Sequence, residues 1–149
     1  MDMINLTSMN NTADTIAHNL TILVVDDNHD MREIMEEIII CYGHRSDSAT
    51  NGQEAVKMAM IKKYDLILMD IQMPVMDGFQ ALEILKRNHV TAPVAALTAH
   101  NLTVDQVRCF AAGFDYYFSK PINFKVFKAL LDSLSGQRLE TYQERSPAL

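Results

Sequence analysis

The sequence predicts an α/β fold in which a five-stranded parallel sheet, ordered 2-1-3-4-5, is wound on both faces by helices. Three observations predict it. Apolar runs alternate with amphipathic helical segments along the whole central part of the chain. The three strongest runs are continuously apolar, as strands covered on both faces are. The two remaining strand candidates are more polar, which places them at the sheet edges and leaves the first, third and fourth strands inside.

Each element has its own signal. Residues 1–19, rich in Asn, Thr and Met without a sustained period, read as a flexible tail with room for a short helix. Strands are expected at 21–26, 65–70 and 93–97, with the polar edge candidates at 44–48 (His44-Arg45-Ser46-Asp47-Ser48) and 115–119. Met31, Ile34, Met35, Ile38, Ile39 and Tyr42 form one stripe of a helix over 30–42. Thr50 with Gln53 reads as a capping box for a helix of 51–62, and Thr103 with Gln106 as one for a helix of 103–112 that Gly113 closes. Asp77 caps a helix of 78–87. Asn123 caps a last helix that turns Phe124, Phe127, Leu131 and Leu134 inward. The polar residues from 136 to 149 read as a second tail, leaving one domain over 20–135.

Bulk properties narrow the function. The 149 residues favour a single domain with a real core. The formal charge is -6 and the basic residues are scattered, which argues against direct nucleic-acid binding. Cys41 and Cys109, both in helical patterns, read as two buried free thiols. Neither a secretory signal nor a long apolar block is recognisable, so a cytoplasmic location without membrane insertion is expected.

The chemistry-bearing residues lie where the strands end. Ile22–Val25 runs into Asp26 and Asp27, Leu66–Met69 into Asp70, and Val94–Leu97 into Thr98, while Lys120 follows the fifth strand. Ligands in such sheets bind at the carboxyl ends of the strands. Three carboxylates there repel, by roughly 4 kcal/mol for a pair at 4 Å with a dielectric near 20. A hard cation held by oxygen ligands would neutralise them, with Lys120 acting from the opposite side. A carboxylate can also attack phosphorus to form an aspartyl phosphate, whose oxygens Lys120 and the Thr98 hydroxyl could then contact. Taken singly, each residue has a plainer reading: Asp70 as a turn residue, Asp26-Asp27 as a helix cap, Thr98 as a strand-end turn and Lys120 as a loop lysine. Their joint placement at four strand ends favours the phosphoryl site.

These elements resemble the receiver domain of two-component response regulators, the family of the single-domain chemotaxis regulator. The resemblance rests on Asp26-Asp27, on the run from Asp70 through Met73-Pro74 to Asp77-Gly78, on Leu97-Thr98-Ala99 and on Lys120-Pro121, and covers roughly residues 20–135. It implies the flavodoxin-like topology and a phosphoacceptor that is not an enzyme, although it promotes its own phosphotransfer and dephosphorylation. Asp70 would take the phosphoryl group from a sensor histidine kinase or a histidine phosphotransfer protein. Asp27, Asp70 and the backbone carbonyl of Gln72 would bind Mg²⁺ (or Mn²⁺), with Asp26 acting through a bound water. Lys120 would contact the phosphoryl oxygens, and the peptide bond to Pro121 would be cis. Thr98 and Tyr117 would switch together, changing a face formed by residues 102–134 that a downstream protein reads. Gln72 and His100 would flank the phosphoryl group and tune its lifetime. Tyr117 as a plain edge aromatic and His100 as a solvated loop histidine stay open.

Other classes fit less well. A flavodoxin-like cofactor-binding module needs a phosphate-cradling loop after the first strand, where this chain has acid. No two of the five glycines stand two apart, so a dinucleotide fingerprint cannot occur. An aspartyl-nucleophile phosphatase would carry a second acid where Gln72 stands. Within the receiver family, a free-standing regulator, a phosphorelay intermediate and the excised receiver of a hybrid kinase all stay open. No output domain is recognisable after Gly136.

Overall fold

The apolar runs form the interior of the sheet. The computed structural model of the chain describes residues 19–99 and 103–145. Its elements are β1 (Thr21–Val25), α1 (His29–Cys41), β2 (Arg45–Ala49), α2 (Gly52–Ile61), β3 (Leu66–Asp70), α3 (Gly78–Arg87), β4 (Val94–Thr98), α4 (Thr103–Ala112), β5 (Tyr116–Ser119) and α5 (Phe124–Arg145). The strands pair in parallel in the order β2-β1-β3-β4-β5. Every residue of β3 and β4 is buried, whereas β2 and β5 are largely half-exposed, as edge strands are.

Because successive side chains of a strand point to opposite faces, each run feeds two cores. Leu23, Val25, Ile67, Met69 and Ala96 pack with Ala55 of α2, Leu82 of α3 and Cys109 of α4. Ile22, Val24, Leu66, Leu68 and Leu97 pack with Met35 and Ile39 of α1 and with Phe127 and Leu131 of α5. Helices α2, α3 and α4 therefore cover one face, and α1 and α5 the other.

Local chemistry sets the helix ends. Asp77 accepts from Gln80 N at 2.8 Å while the Gln80 side chain accepts from Asp77 N at 3.0 Å, closing a capping box on α3. Asn123 Oδ1 accepts from the backbone N–H groups of Lys125 and Val126 at the start of α5. Gly113, at φ +109, ends α4 in the left-handed region.

Several expectations are corrected. The cap of α2 is Asn51, which accepts from Glu54 N, and Thr50 bonds Glu54 rather than pairing with Gln53. Helix α4 runs from Thr103 to Ala112 as expected, with Thr103 already helical rather than a cap, and residues 100–102 before it lie outside the described residues. Phe124 is exposed, because the inward stripe of α5 begins at Phe127. Cys41 is exposed as well, at the last turn of α1 beyond the sheet, while Cys109 is buried. Helix α5 continues past Gly136 to Arg145, since the Gln, Arg, Leu and Glu that follow are good helix formers. The tail expected at 1–19 lies outside the described residues except for Asn19. Among the described residues, no helix is long and apolar enough to cross a membrane.

Candidate functional site

The parallel register brings the strand ends to one edge. Val25 stands beside Met69, Asp70 beside Leu97, and Thr98 beside Ser119. Three further hydrogen bonds extend the pairing past the strands: Asp26 N to Ala49 O (3.2 Å), Ile71 N to Leu97 O (3.1 Å) and Lys120 N to Thr98 O (2.7 Å). Asp26, Asp70, Thr98 and Lys120 are thus carried by backbone that is itself held in the ladder.

Asp26, Asp70 and Thr98 are buried, each 4% exposed or less, while the adjacent Asp27 is open to solvent. Lys120 Nζ stands 3.0 Å from Asp70 Oδ2 and 3.1 Å from Asp26 Oδ2. The second oxygen of each acid is bound by backbone two residues on: Asp70 Oδ1 accepts from Gln72 N at 3.0 Å, and Asp26 Oδ1 from Asn28 N at 2.9 Å. Burial pushes the Asp70 carboxyl up. The Gln72 N–H and Lys120 act against that rise, and the Asp26 charge adds to it. Burial works against the charge of Lys120, but the hydrogen bond and charge of Asp70, joined by Asp26, outweigh it and raise the ammonium above its ordinary value. The centre is therefore a buried acid pair held together by one cation.

The residues fit a hard metal ion. Asp26, Asp27 and Asp70 can each present a carboxylate oxygen with all three within 4.8 Å of one another. Asp26 Oδ2 is buried, and its contact is the Lys120 ammonium at 3.1 Å, shared with Asp70. One ammonium shared by two buried acids, with a third carboxylate beside them, leaves an all-oxygen set short of positive charge, which a divalent cation would supply.

The loop after β3 shapes the open side. A Cβ on Gly78 would lie 2.7 Å from Asp70 O and 2.8 Å from Ile71 Cα, so only glycine lets the chain fold back against the end of β3. Val75, in the middle of this loop, sits at φ +72, a strained conformation for a β-branched residue. Tyr117 pairs with Ala96 in β4 and lies half-buried against the core, with its phenol raised first by burial. The Lys120–Pro121 peptide bond is cis. His100 lies outside the described residues.

Two contributors have no signal in the sequence. Arg32 of α1 donates from Nη1 to Asp26 O at 2.8 Å, bracing the acid loop from its own helix. Arg108 of α4 lies over the Phe79 ring, 4.4 Å from its centroid, beside the cavity that reaches Thr98 and Gln72. In both cases the partner is a backbone carbonyl or an aromatic face, so neither pairing shows as a charge pattern.

Residues 22–132 match the model of the response regulator receiver domain. The hybrid signal transduction histidine kinase G of Dictyostelium discoideum is 36% identical over 131 residues, which is 85% of this chain and 4% of that protein. The transcriptional regulatory protein TcrA of Mycobacterium tuberculosis is 33% identical over 114 residues, 76% of this chain and 45% of that one. The chain thus spans less than half the length of either relative. Among solved structures, the receiver domain of the sensor histidine kinase PA1611 from Pseudomonas aeruginosa PAO1, with magnesium coordinated in its active-site cleft, is 32% identical. Its TM-score is 0.72, and the match covers 79% of this chain and 98% of that one. The receiver domain of the Francisella response regulator 1452 is 27% identical with a TM-score of 0.75, covering 80% and 98%.

Proposed function

The chain belongs to the response regulator receiver family, and from that premise we propose that Asp70 is its phosphoacceptor, taking the group from a phosphohistidine of a sensor kinase or phosphotransfer protein. The observation that carries this reading is the buried Asp70–Lys120–Asp26 cluster at the carboxyl edge of the sheet.

A carboxylate oxygen of Asp70 bonds to phosphorus as the phosphorus–nitrogen bond of the donor breaks, and the electron pair stays on the imidazole. Lys120, already aimed at Asp70, moves its charge from carboxylate to phosphoryl oxygens. Asp27, Asp70 and the Gln72 carbonyl would hold Mg²⁺ (or Mn²⁺), with Asp26 acting through a water, and the ion would supply positive charge to the phosphoryl oxygens. The Gln72 N–H and the Arg32 brace hold the two acids in place before the donor arrives. Thr98 donates its hydroxyl to the phosphoryl group, Tyr117 follows, and the face of residues 102–134 presents the result to a downstream protein. Water attack on phosphorus restores the carboxylate, with Gln72 and His100 flanking its path. The protein acts in the cytoplasm, where ATP-dependent kinases charge their histidines, as one domain that runs from residue 20 into α5.

The similarity to the receiver of a hybrid kinase favours a second reading: Asp70 hands its phosphoryl group on to another histidine, as a relay intermediate or as the receiver part of such a kinase.

Acetyl phosphate with Mg²⁺ tests the acceptor directly. Intact-mass spectra should show one added phosphoryl group on the wild type, which does not form when EDTA removes the metal beforehand and is absent from Asp70→Asn. Undiminished phosphorylation of Asp70→Asn would overturn the assignment.

A further inference from the structure

The seam between α3 and α4 lies next to the proposed site yet contributes nothing to holding a metal or phosphoryl group. The Arg108 guanidinium of α4 stacks 4.4 Å above the centroid of Phe79, the second residue of α3. Phe79 meets Phe114 edge-on, with centroids 5.6 Å apart and planes at 82°. Among the described residues Arg108 forms no salt bridge, and the ring is its partner. Farther along the seam Lys86 of α3 lies so close over Gly113 that a Cβ there would stand 2.5 Å from Lys86 Cε. Helix α4 is thus moored to α3 at two points, by a stacked cation near its middle and by a lysine stem at its end.

The mooring faces the switch. A cavity of about 160 Å³ opens beneath the Arg108–Phe79 pair and is also lined by Thr98, Gln72 and Asp77. Thr98 ends β4 and lines this cavity together with Arg108, so a shift of Thr98 toward Asp70 would change the space that the stack borders. Lys120 is here engaged by both Asp26 and Asp70, the arrangement that precedes competition from a phosphoryl group. The stack is present together with this arrangement.

We propose that Arg108 is a positioning residue for the switch: stacked on Phe79, its guanidinium holds α4 against α3 in the resting arrangement and sets how tightly the site takes a phosphoryl group. The inference rests on the Asp70 reading above. A contact made only in one state lowers the apparent affinity of any ligand that favours the other. An exposed cation over an aromatic ring contributes enough to change that affinity about two- to fivefold.

Calorimetric titration of the Mg²⁺-bound protein with beryllofluoride, a phosphoryl mimic, tests this. Arg108→Met keeps the stem and loses the charge, and should bind beryllofluoride about two- to fivefold more tightly than the wild type. Arg108→Lys keeps a cation and should stay near the wild type. Phe79→Leu should reproduce the gain, and the double variant should add nothing further. Affinity for Mg²⁺ alone should be the same in all of them, which a general loosening of the fold would not give. Wild-type and Arg108→Met affinities that agree would overturn this inference while leaving Asp70 as acceptor. A wild type that takes no beryllofluoride would overturn the acceptor assignment and this inference with it.

Discussion

Asp70 is held where a carboxylate is least comfortable, buried and facing a second buried acid. The fold binds its proton more tightly than the unfolded chain does, so its contribution to stability is full below the ordinary carboxylate range and is lost as pH rises through the raised value. Asp70→Asn removes that loss while Lys120 keeps Asp26 as partner at 3.1 Å. In metal-free buffer at neutral pH the variant should unfold at higher urea, by about 1 kcal/mol, with the gain fading as pH falls through the carboxylate range. Chemical denaturation at two pH values measures both. The acids, Thr98 and Lys120 were legible because each directly ends an apolar run or follows a strand. That Asp26 is buried and Asp27 exposed was not, since neighbours in sequence are told apart only by the register of β1 and the turn that Asn28 closes. Arg32 and Arg108 were illegible for the reason that their partners are a carbonyl and a ring from elsewhere in the chain.

At the scale of elements, Gly78, which opens α3, and Gly136, within α5, separate steric need from helix propensity. Gly78→Ala drives a Cβ into the backbone of Asp70 and Ile71, which cannot give way. It should destabilise by about 2–3 kcal/mol and slow phosphoryl uptake. Gly136→Ala meets nothing within 4 Å inside α5 and should stabilise by about 0.5–1 kcal/mol. Urea melts of the two variants check the opposite signs. Helix starts were readable to within a residue or two from Asp77 and Asn123, whose side chains can reach only their own first turn. The start of α2 was misplaced by one residue because Thr50 and Asn51 are both competent caps, and only the backbone direction selects Asn51. The inward face of α5 was read one turn too early, since periodicity marks Phe124 and Phe127 alike while the sheet reaches only the second.

For the whole molecule, strand order followed from polarity: Arg45–Ala49 and Tyr116–Ser119 cannot be covered on both faces, so they close the sheet. That order brings β1 beside β3 and gathers the acid, hydroxyl and lysine ends at one edge, and membership of the receiver family agrees with it. What sequence and fold leave to surface detail is the choice of donor and reader, because partners meet exposed side chains that no folding pattern constrains. Chemical trapping reads the proposed phosphoryl group on Asp70 at residue resolution. Borohydride reduction of the phosphorylated protein, followed by peptide mapping, should convert the residue at position 70 alone to homoserine. Homoserine at position 26 or 27, or a stable phosphate on a hydroxyl side chain, would contradict that assignment.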